Sequence, residues 1–157
     1  MIEPDEIEVV VAGEDHVRYV DEILDTITRA AKVRGTGIAK RSPEYVKQKM
    51  LEHKAVVALY HGRFAGFSYI ESWSNKQFVA NSGLIVADEF RGIGLAMRIK
   101  RRIFSLSREM FPSAKIFSLT TGAAVMKMNN ELGYRRRGFL ERLRKLCEFR
   151  HSPTKRP

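Results

Sequence analysis

The chain has 157 residues, of which 44% are hydrophobic and 29% are charged. This length and composition are typical of one soluble globular domain, and they exclude a membrane-spanning helix because no apolar run approaches the ~18 residues that such a helix requires. A single cysteine, Cys147, excludes an internal disulfide and a cysteine metal cluster. The acidic first residues are unlike a secretory signal, so we expect a cytoplasmic protein.

Charge is distributed unevenly along the chain, which carries a net charge of +10. Residues 1–90 contain 11 basic and 14 acidic side chains, a net charge of −3, whereas residues 91–157 contain 17 and 4, a net charge of +13. A basic half can bind nucleic acid, and it would equally favour a small ligand that carries several phosphates. Charge alone leaves both kinds of partner open.

The first third of the chain predicts a strand followed by two helices. Alternating β-branched residues predict a strand over Glu6–Ala12, and apolar residues at helical spacing predict an amphipathic helix over His16–Ala31. Ser42-Pro43-Glu44 is typical of a helix start, with a capping serine before a proline, so a second helix continues to about His53. The basic, glycine-containing segment Lys32–Arg41 is a connecting loop.

Three consecutive strands are predicted next. Ala55–Tyr60 and Arg63–Glu71 form a hairpin, and Gln77–Val86 is the third strand of this antiparallel run. The interior of the third strand contains Asn81-Ser82-Gly83, which is unusual for a buried strand. A glycine inside a strand often marks a bulge or the close approach of a ligand or another backbone, so we expect a bulge at this place.

The segment from Val79 to Phe111 is central to the sequence. Its strand ends in an acidic turn and continues through the glycine-spaced residues 91–96 into a helix whose apolar residues are Leu95, Ile99, Ile103, Leu106 and Met110. A glycine-rich turn between a strand and a helix leaves unpaired backbone N–H groups beside the positive end of the helix dipole. Such a turn binds anions, phosphates above all.

The remaining elements complete a parallel crossover. Ala114–Thr121 is a predicted strand, and because strand, helix and strand follow one another, this strand lies parallel to the third strand of the antiparallel run. Gly122–Leu132 is the last predicted helix. Residues 135–157 show a basic amphipathic pattern in which no further strand is evident. We therefore predict one domain over residues 1–134 and a basic, partly disordered tail over residues 135–157.

The glycine-rich turn does not match the common nucleotide-binding motifs. A dinucleotide-binding turn requires a small residue where Met97 stands, and a P-loop requires Gly-Lys-Ser or Gly-Lys-Thr. Arg91, Gly94 and Ala96 instead fit the pattern Arg-x-x-Gly-x-Ala, and the helix Met128–Tyr134 ends in Leu-Gly-Tyr. Both features resemble motifs of the GCN5-related N-acetyltransferase (GNAT) superfamily. The second half of the chain is similar to small amino-acid acetyltransferases of the N-acetylglutamate-synthase type.

The resemblance implies an α/β (α+β) fold with a mixed, mostly antiparallel sheet, a splayed pair of parallel strands and about four helices. The C-terminal strands that normally close this sheet would be shortened or altered. It also implies an enzyme that transfers an acyl group from acetyl-CoA directly to a primary amine, without a metal. The coenzyme-binding residues that it implies are Leu84, Ile85, Val86, Arg91, Gly92, Ile93, Gly94, Leu95, Ala96 and Asn129.

The catalytic residues are less complete than the resemblance implies. Many members of the superfamily protonate the leaving thiolate with a tyrosine four residues before the glycine of Leu-Gly-Tyr, but Asn129 occupies that position. An asparagine donates hydrogen bonds but cannot act as an acid, so we expect water to protonate the thiolate, or the thiolate to leave unassisted. Asn129 remains a catalytic candidate. The candidate base is Glu71, ahead of Glu52, although Glu71 is equally consistent with a solvated carboxylate at a strand end.

The resemblance favours an amino acid, such as glutamate, as the acceptor amine. The candidate acceptor contacts are Arg34, Ser82 and Thr120. Arg34 or Arg41 could offer a planar fork to a carboxylate, but the loop between the first two helices is equally consistent with a flexible connection. A homodimer remains open, and we expect no membrane partner.

Two alternatives belong to other functional classes. The basic half could make this a nucleic-acid-binding or ribosome-associated module, but its aromatic and basic residues are not interleaved in a recognisable binding motif, so nucleic acid is the weaker prediction. The second alternative is a GNAT fold that binds acyl-CoA without catalysis, which Asn129 leaves open.

Overall fold

The computed structural model describes residues 1–35, 41–118 and 123–135. The chain divides into two compact units, Met1–Thr121 and Gly122–Pro157, and each is described here by itself. The predicted tail, apart from Arg135, lies outside the described residues, and so does Cys147.

The first unit contains a five-stranded mixed sheet, whose strands follow one another in chain order. Its strands are β1 (Ile7–Val11), β2 (Ala55–Tyr60), β3 (Arg63–Trp73), β4 (Phe78–Val86) and β5 (Lys115–Phe117). The α-helices of the described chain are α1 (Val20–Arg34), α2 (Pro43–Leu51), α3 (Leu95–Met110) and, in the second unit, α4 (Ala123–Glu131). Strands β1 to β4 are antiparallel, and β5 is parallel to β4, so the predicted fold class is confirmed.

Helices α2 and α3 cover opposite faces of the sheet. Successive side chains of β3 alternate between the two faces. Tyr69 meets Tyr45 of α2, with 5.9 Å between the ring centroids, whereas Gly66 lies against Ile99 of α3. Helix α1 packs against α2, β3 and β4. The sheet therefore separates an α2 side from an α3 side.

The start of α1 differs from the prediction. The helix was expected from His16, but a 3₁₀ turn over Glu14–Tyr19 precedes α1. The Gly13 N–H donates to Nδ1 of His16 at 2.9 Å, which tightens the turn. The buried Tyr19 donates its hydroxyl to the Gly62 carbonyl at 2.5 Å. These two anchors favour the tighter geometry over a regular helical turn.

Helix α3 buries most of its predicted apolar face. Leu95, Ile99, Ile103 and Leu106 are buried, but Met110 is 36% exposed because it is the last residue of the helix. Lys100 and Ser107 are also buried on α3, and the apolar periodicity did not predict them. Among the described helices, none has both the length and the apolar character needed to cross a bilayer.

Candidate functional site

Strand β4 contains the predicted bulge. Phe67 of β3 pairs with Ile85, whereas Tyr69 pairs with Ser82, so two steps along β3 correspond to three along β4. Gly83 lies within this interval and has a φ angle of +63°, which glycine adopts without the steric cost that a β-carbon imposes. A β-carbon on Gly83 would overlap the ring of Tyr69. The backbone conformation and the neighbouring ring therefore both require glycine.

The two parallel strands are paired over a short distance only. The paired residues are Phe78 with Lys115, Val79 with Ile116, and Ala80 with Phe117. Beyond Ala80, β4 has no parallel partner among the described residues. Its edge over residues 82–86 is therefore open on the β5 side, within the part of the chain that the structure describes. This edge contains the predicted coenzyme contacts Leu84, Ile85 and Val86, together with Ser82.

The turn after β4 presents backbone amides without partners. Gly92 and Gly94 have φ angles of +77° and +79°, and a β-carbon on either would meet no atom within 4 Å. Within the described chain, the N–H groups of residues 92–97 make no hydrogen bond, and the first helical bond runs from the Arg98 N–H to the Gly94 carbonyl at 3.3 Å. Because α3 begins at Leu95, its positive dipole end lies at the same turn. These free amides are the feature that the predicted anion site requires, and anion binding at this turn stays a prediction.

Arg91 is held against the end of β4. Its guanidinium lies 3.0 Å from the Asp88 carboxylate and donates to the Val86 carbonyl at 3.3 Å. The side chain is half exposed, so it adds positive charge next to the open amides.

Polar side chains gather on the α2 side, beside the bulge. The Lys49 ammonium donates to Glu71 at 3.0 Å and to the Ile70 carbonyl at 2.9 Å. The Arg41 guanidinium lies over the Tyr69 ring and donates to its hydroxyl. Glu71 and Tyr69 are two residues apart on β3 and therefore face the same side. A carboxylate, an ammonium and a guanidinium are thus brought together next to Gly83.

Burial alters the proton affinity of this ion pair. Burial raises the pKa of the Glu71 carboxyl above its usual value, and the Arg41 charge partly offsets that rise. Burial also lowers the pKa of Lys49, and the nearby charge of Lys54 lowers it further. Both shifts favour the neutral forms. Glu71 is therefore better suited to accepting a proton than a fully solvated carboxylate would be.

A second polar cluster, on the α3 side, was missed by the sequence reasoning. Lys100 is 3% exposed, and its ammonium donates to the Ser118 hydroxyl at 3.1 Å. Asn81 donates to Ser107, two helical turns after Lys100, at 2.7 Å. Burial lowers the pKa of Lys100 to about 8. The sequence did contain an indication that Lys100 is buried. Lys100 is three residues before the buried Ile103, so both side chains lie on the same face of α3.

The other predicted residues are less informative. Glu52 caps the end of α2 and bonds to Gln48 and Lys54, and these contacts hold its pKa below the usual value. Arg34 is the last residue of α1, and Thr120 lies outside the described residues. Asn129 lies on α4 in the second unit; it is 8% exposed, and its Oδ1 has no hydrogen-bond partner among the described residues.

Comparison with solved structures identifies the fold. A GNAT-family acetyltransferase from Staphylococcus aureus Mu50 matches with a TM-score of 0.66 and 15% identity, over 85% of this chain and 87% of that chain. The chain has the GNAT fold. A predicted acetyltransferase from Clostridium acetobutylicum, solved with acetyl-CoA, matches this GNAT-fold chain with a TM-score of 0.63 and 13% identity, over 85% and 92% of the two chains.

A third GNAT-fold match is N-acetylglutamate synthase from Neisseria gonorrhoeae, complexed with coenzyme A and N-acetyl-glutamate. Its TM-score is 0.61 at 14% identity, and the match covers 79% of this chain. The matched region spans only 27% of the synthase. No protein-family model and no curated protein matches the sequence.

Proposed function

We propose that this protein is an acetyl-CoA-dependent N-acetyltransferase that transfers an acetyl group directly to the primary amine of a small molecule. The observation that carries this proposal is the position of the open edge of β4 directly before the unbonded amides of residues 92–97. The amides and the dipole of α3 would hold the pyrophosphate of the coenzyme. The pantetheine arm would then bond to the main chain of β4, as a neighbouring strand does.

The dimensions of the edge support this arrangement. Four residue steps separate Val86 from Ser82, which corresponds to about 14 Å of extended strand. An arm that starts at the glycine-rich turn and follows this edge would bring its thioester to the bulge at Gly83. The acyl group would then be next to Tyr69, close to the polar side chains of the α2 side.

An amino acid, such as glutamate, is the proposed acceptor. Arg41 would bind its carboxylate, because a guanidinium forms two parallel hydrogen bonds to that group. Glu71 would take a proton from its ammonium, since only the neutral amine attacks a thioester. The Neisseria synthase that shares this fold was solved with N-acetyl-glutamate. Arg34, Ser82 and Thr120 remain proposed acceptor contacts.

Backbone donors would stabilise the charge that develops on the thioester oxygen. The bulge leaves backbone N–H groups of β4 without a regular ladder partner, and N–H groups aimed at a developing oxyanion lower the barrier of acyl transfer. We therefore propose that the bulge both directs the coenzyme arm and polarises its carbonyl.

Isothermal titration calorimetry with acetyl-CoA tests the binding part of the proposal. We expect acetyl-CoA to bind and S-acetylpantetheine, which lacks the pyrophosphate, to bind much more weakly. A thiol-release assay over a panel of amino acids then identifies the acceptor, and succinyl-CoA serves as the comparison donor. Absence of acetyl-CoA binding, combined with salt-dependent binding of RNA or DNA, would instead support a nucleic-acid-binding module.

Binding without catalysis is the second candidate function. It is favoured by Asn129, which occupies the position of the usual acid. Tight acetyl-CoA binding with no thiol release above the buffer rate, for any acceptor in the panel, would support this candidate over the enzyme.

A further inference from the structure

A buried lysine lies where β4 and β5 separate. Phe117 is the last residue of β5 and pairs with Ala80, and the next residue, Ser118, accepts the hydrogen bond from the Lys100 ammonium. Ser118 is therefore level with Asn81, one residue before the open edge of β4. Lys100 reaches this point from α3 and is 3% exposed.

The surroundings of Lys100 make its chemistry unusual. Lysine is among the residues least often fully buried, and the Lys100 position is flanked on α3 by Ile99 and, one turn later, Ile103, both fully buried. Its bond to Ser118 joins the charged amine to a neutral hydroxyl. An aliphatic side chain would fill the same volume without the desolvation cost of an ammonium. Packing alone therefore does not explain a lysine here.

We propose that Lys100 is the acid that protonates the thiolate of the departing coenzyme. This inference rests on the proposed function and supplies the proton donor that Asn129 cannot be. As the neutral acceptor nitrogen bonds to the thioester carbon, it releases one N–H proton to water, and the carbon–sulfur bond breaks with its electron pair staying on sulfur. The sulfur then takes a proton from the Lys100 ammonium. The products are the amide, coenzyme A with a free thiol, and a neutral lysine that regains its proton from solvent.

The two faces of the sheet give this assignment a geometric basis. Glu71 lies on the α2 side, where it meets Lys49, and Lys100 approaches from the α3 side. A base and an acid on opposite faces can act on the two reacting groups at once. Glu71 would take the proton from the acceptor ammonium on the α2 side, and Lys100 would give a proton to the sulfur on the α3 side. The proton affinities match as well: burial lowers the pKa of Lys100 to about 8, close to the ~8.5 of a thiol, and proton transfer is efficient between groups of similar pKa.

The pKa of the thiol of bound coenzyme A provides a test that requires no acceptor. Thiolate absorbs at short ultraviolet wavelengths where the thiol absorbs weakly, so the thiol of coenzyme A can be titrated with pH by difference absorbance while it is bound to the native protein. An adjacent ammonium stabilises a thiolate, so we expect the bound thiol to titrate about one pH unit below free coenzyme A. In Lys100→Met it should titrate at or above the free value. Lys115→Met, at an exposed lysine on β5, is the matched control and should behave as the native protein does.

The outcomes separate this inference from the proposed function. If coenzyme A does not bind the native protein, both fail. If coenzyme A binds the native protein but its thiol has the same pKa as in free coenzyme A, the role of Lys100 is overturned while the proposed function stands. This conclusion does not depend on whether Lys100→Met folds. The same conclusion follows if native and Lys100→Met give equal thiol pKa values. Turnover provides a second readout: Lys100→Met should lower kcat about 100-fold with KM for acetyl-CoA unchanged, whereas a KM effect alone would contradict the proposal.

Discussion

The ring of Tyr69 occupies the space that a side chain on Gly83 would need. This contact joins the bulge of β4 to the α2 side of the sheet, because Tyr69 also meets Tyr45 and accepts a hydrogen bond from Arg41. The proposed coenzyme edge and the proposed acceptor site thus share one aromatic ring. A substitution at either site should therefore alter binding at the other.

Gly83→Ala tests this contact. The substitution imposes a positive φ on alanine, which costs about 1–2 kcal/mol, and overlap with Tyr69 adds about 1–3 kcal/mol. We expect a clear fall in the thermal midpoint and weaker acetyl-CoA binding. Gly62→Ala is the matched control, since Gly62 has a φ of +76° but open space around it. Gly62→Ala should lose only the stability that the positive φ costs and should bind acetyl-CoA as the native protein does. Equal effects of the two variants on acetyl-CoA binding would contradict a role of the bulge in holding the coenzyme.

Gly94→Ala tests the glycine-rich turn. The residue has a φ of +79° and caps α3, so alanine should cost about 1–2 kcal/mol and displace the amides that follow it. We expect at least a tenfold loss of acetyl-CoA affinity by calorimetry. Gly35→Ala, at the left-handed end of α1 with open space around it, should lose similar stability without losing affinity. The turn has no role in coenzyme binding if both variants bind acetyl-CoA as the native protein does.

Glu71→Gln tests the proposed base through pH dependence. Burial raises the pKa of Glu71, and a base acts only when it is deprotonated, so the native rate should rise as pH increases through that raised pKa. The variant should lose about 10²–10⁴ in kcat and should lack this acidic limb, while acetyl-CoA binding persists. Glu52→Gln, which alters a carboxylate at the end of α2, separates the two candidate bases. Retention of the acidic limb in Glu71→Gln would exclude Glu71.

Lys100→Met should raise stability while lowering activity. The folded-state pKa of Lys100 is about 8, below the ~10.4 of an unfolded lysine, so the unfolded chain binds more protons between these values. Stability contributed by this site therefore increases as pH rises from about 8 to about 10.4. At pH 7 we expect the variant to be about 1–3 kcal/mol more stable, measured by urea unfolding. The difference should shrink above pH 10; a pH-independent difference would contradict burial of the charged amine.

The order and type of the elements were predictable from the sequence, because each carries a strong local signal. Ser42 accepts the hydrogen bond from the Tyr45 N–H that its capping pattern predicts, and Gly83 marks the bulge. The predicted start of α1 was wrong because the true start depends on the hydrogen bond from Tyr19 to Gly62, which is 43 residues away. No local pattern encodes such a contact.

The candidate site was predictable where backbone conformation decides it. Gly92 and Gly94 have positive φ angles, so the tight turn over residues 91–96 was predictable from the glycine spacing together with the strand and helix on either side of it, and anion binding there stays a prediction. The side-chain clusters could not be predicted in the same way. Lys49 meets Glu71 across 22 residues, and Lys100 meets Ser118 across 18, so these pairs become visible only after α2 and α3 pack on the sheet.

The open edge of β4 has a consequence for handling the protein. An unpaired strand edge is a template on which other chains can add strands, and this is a common start of aggregation. Within the described chain, residues 82–86 present such an edge. A bound coenzyme arm would occupy it, so the cosubstrate would also act as a protective cap. Preparations kept with coenzyme A should stay monodisperse at concentrations where ligand-free samples become turbid.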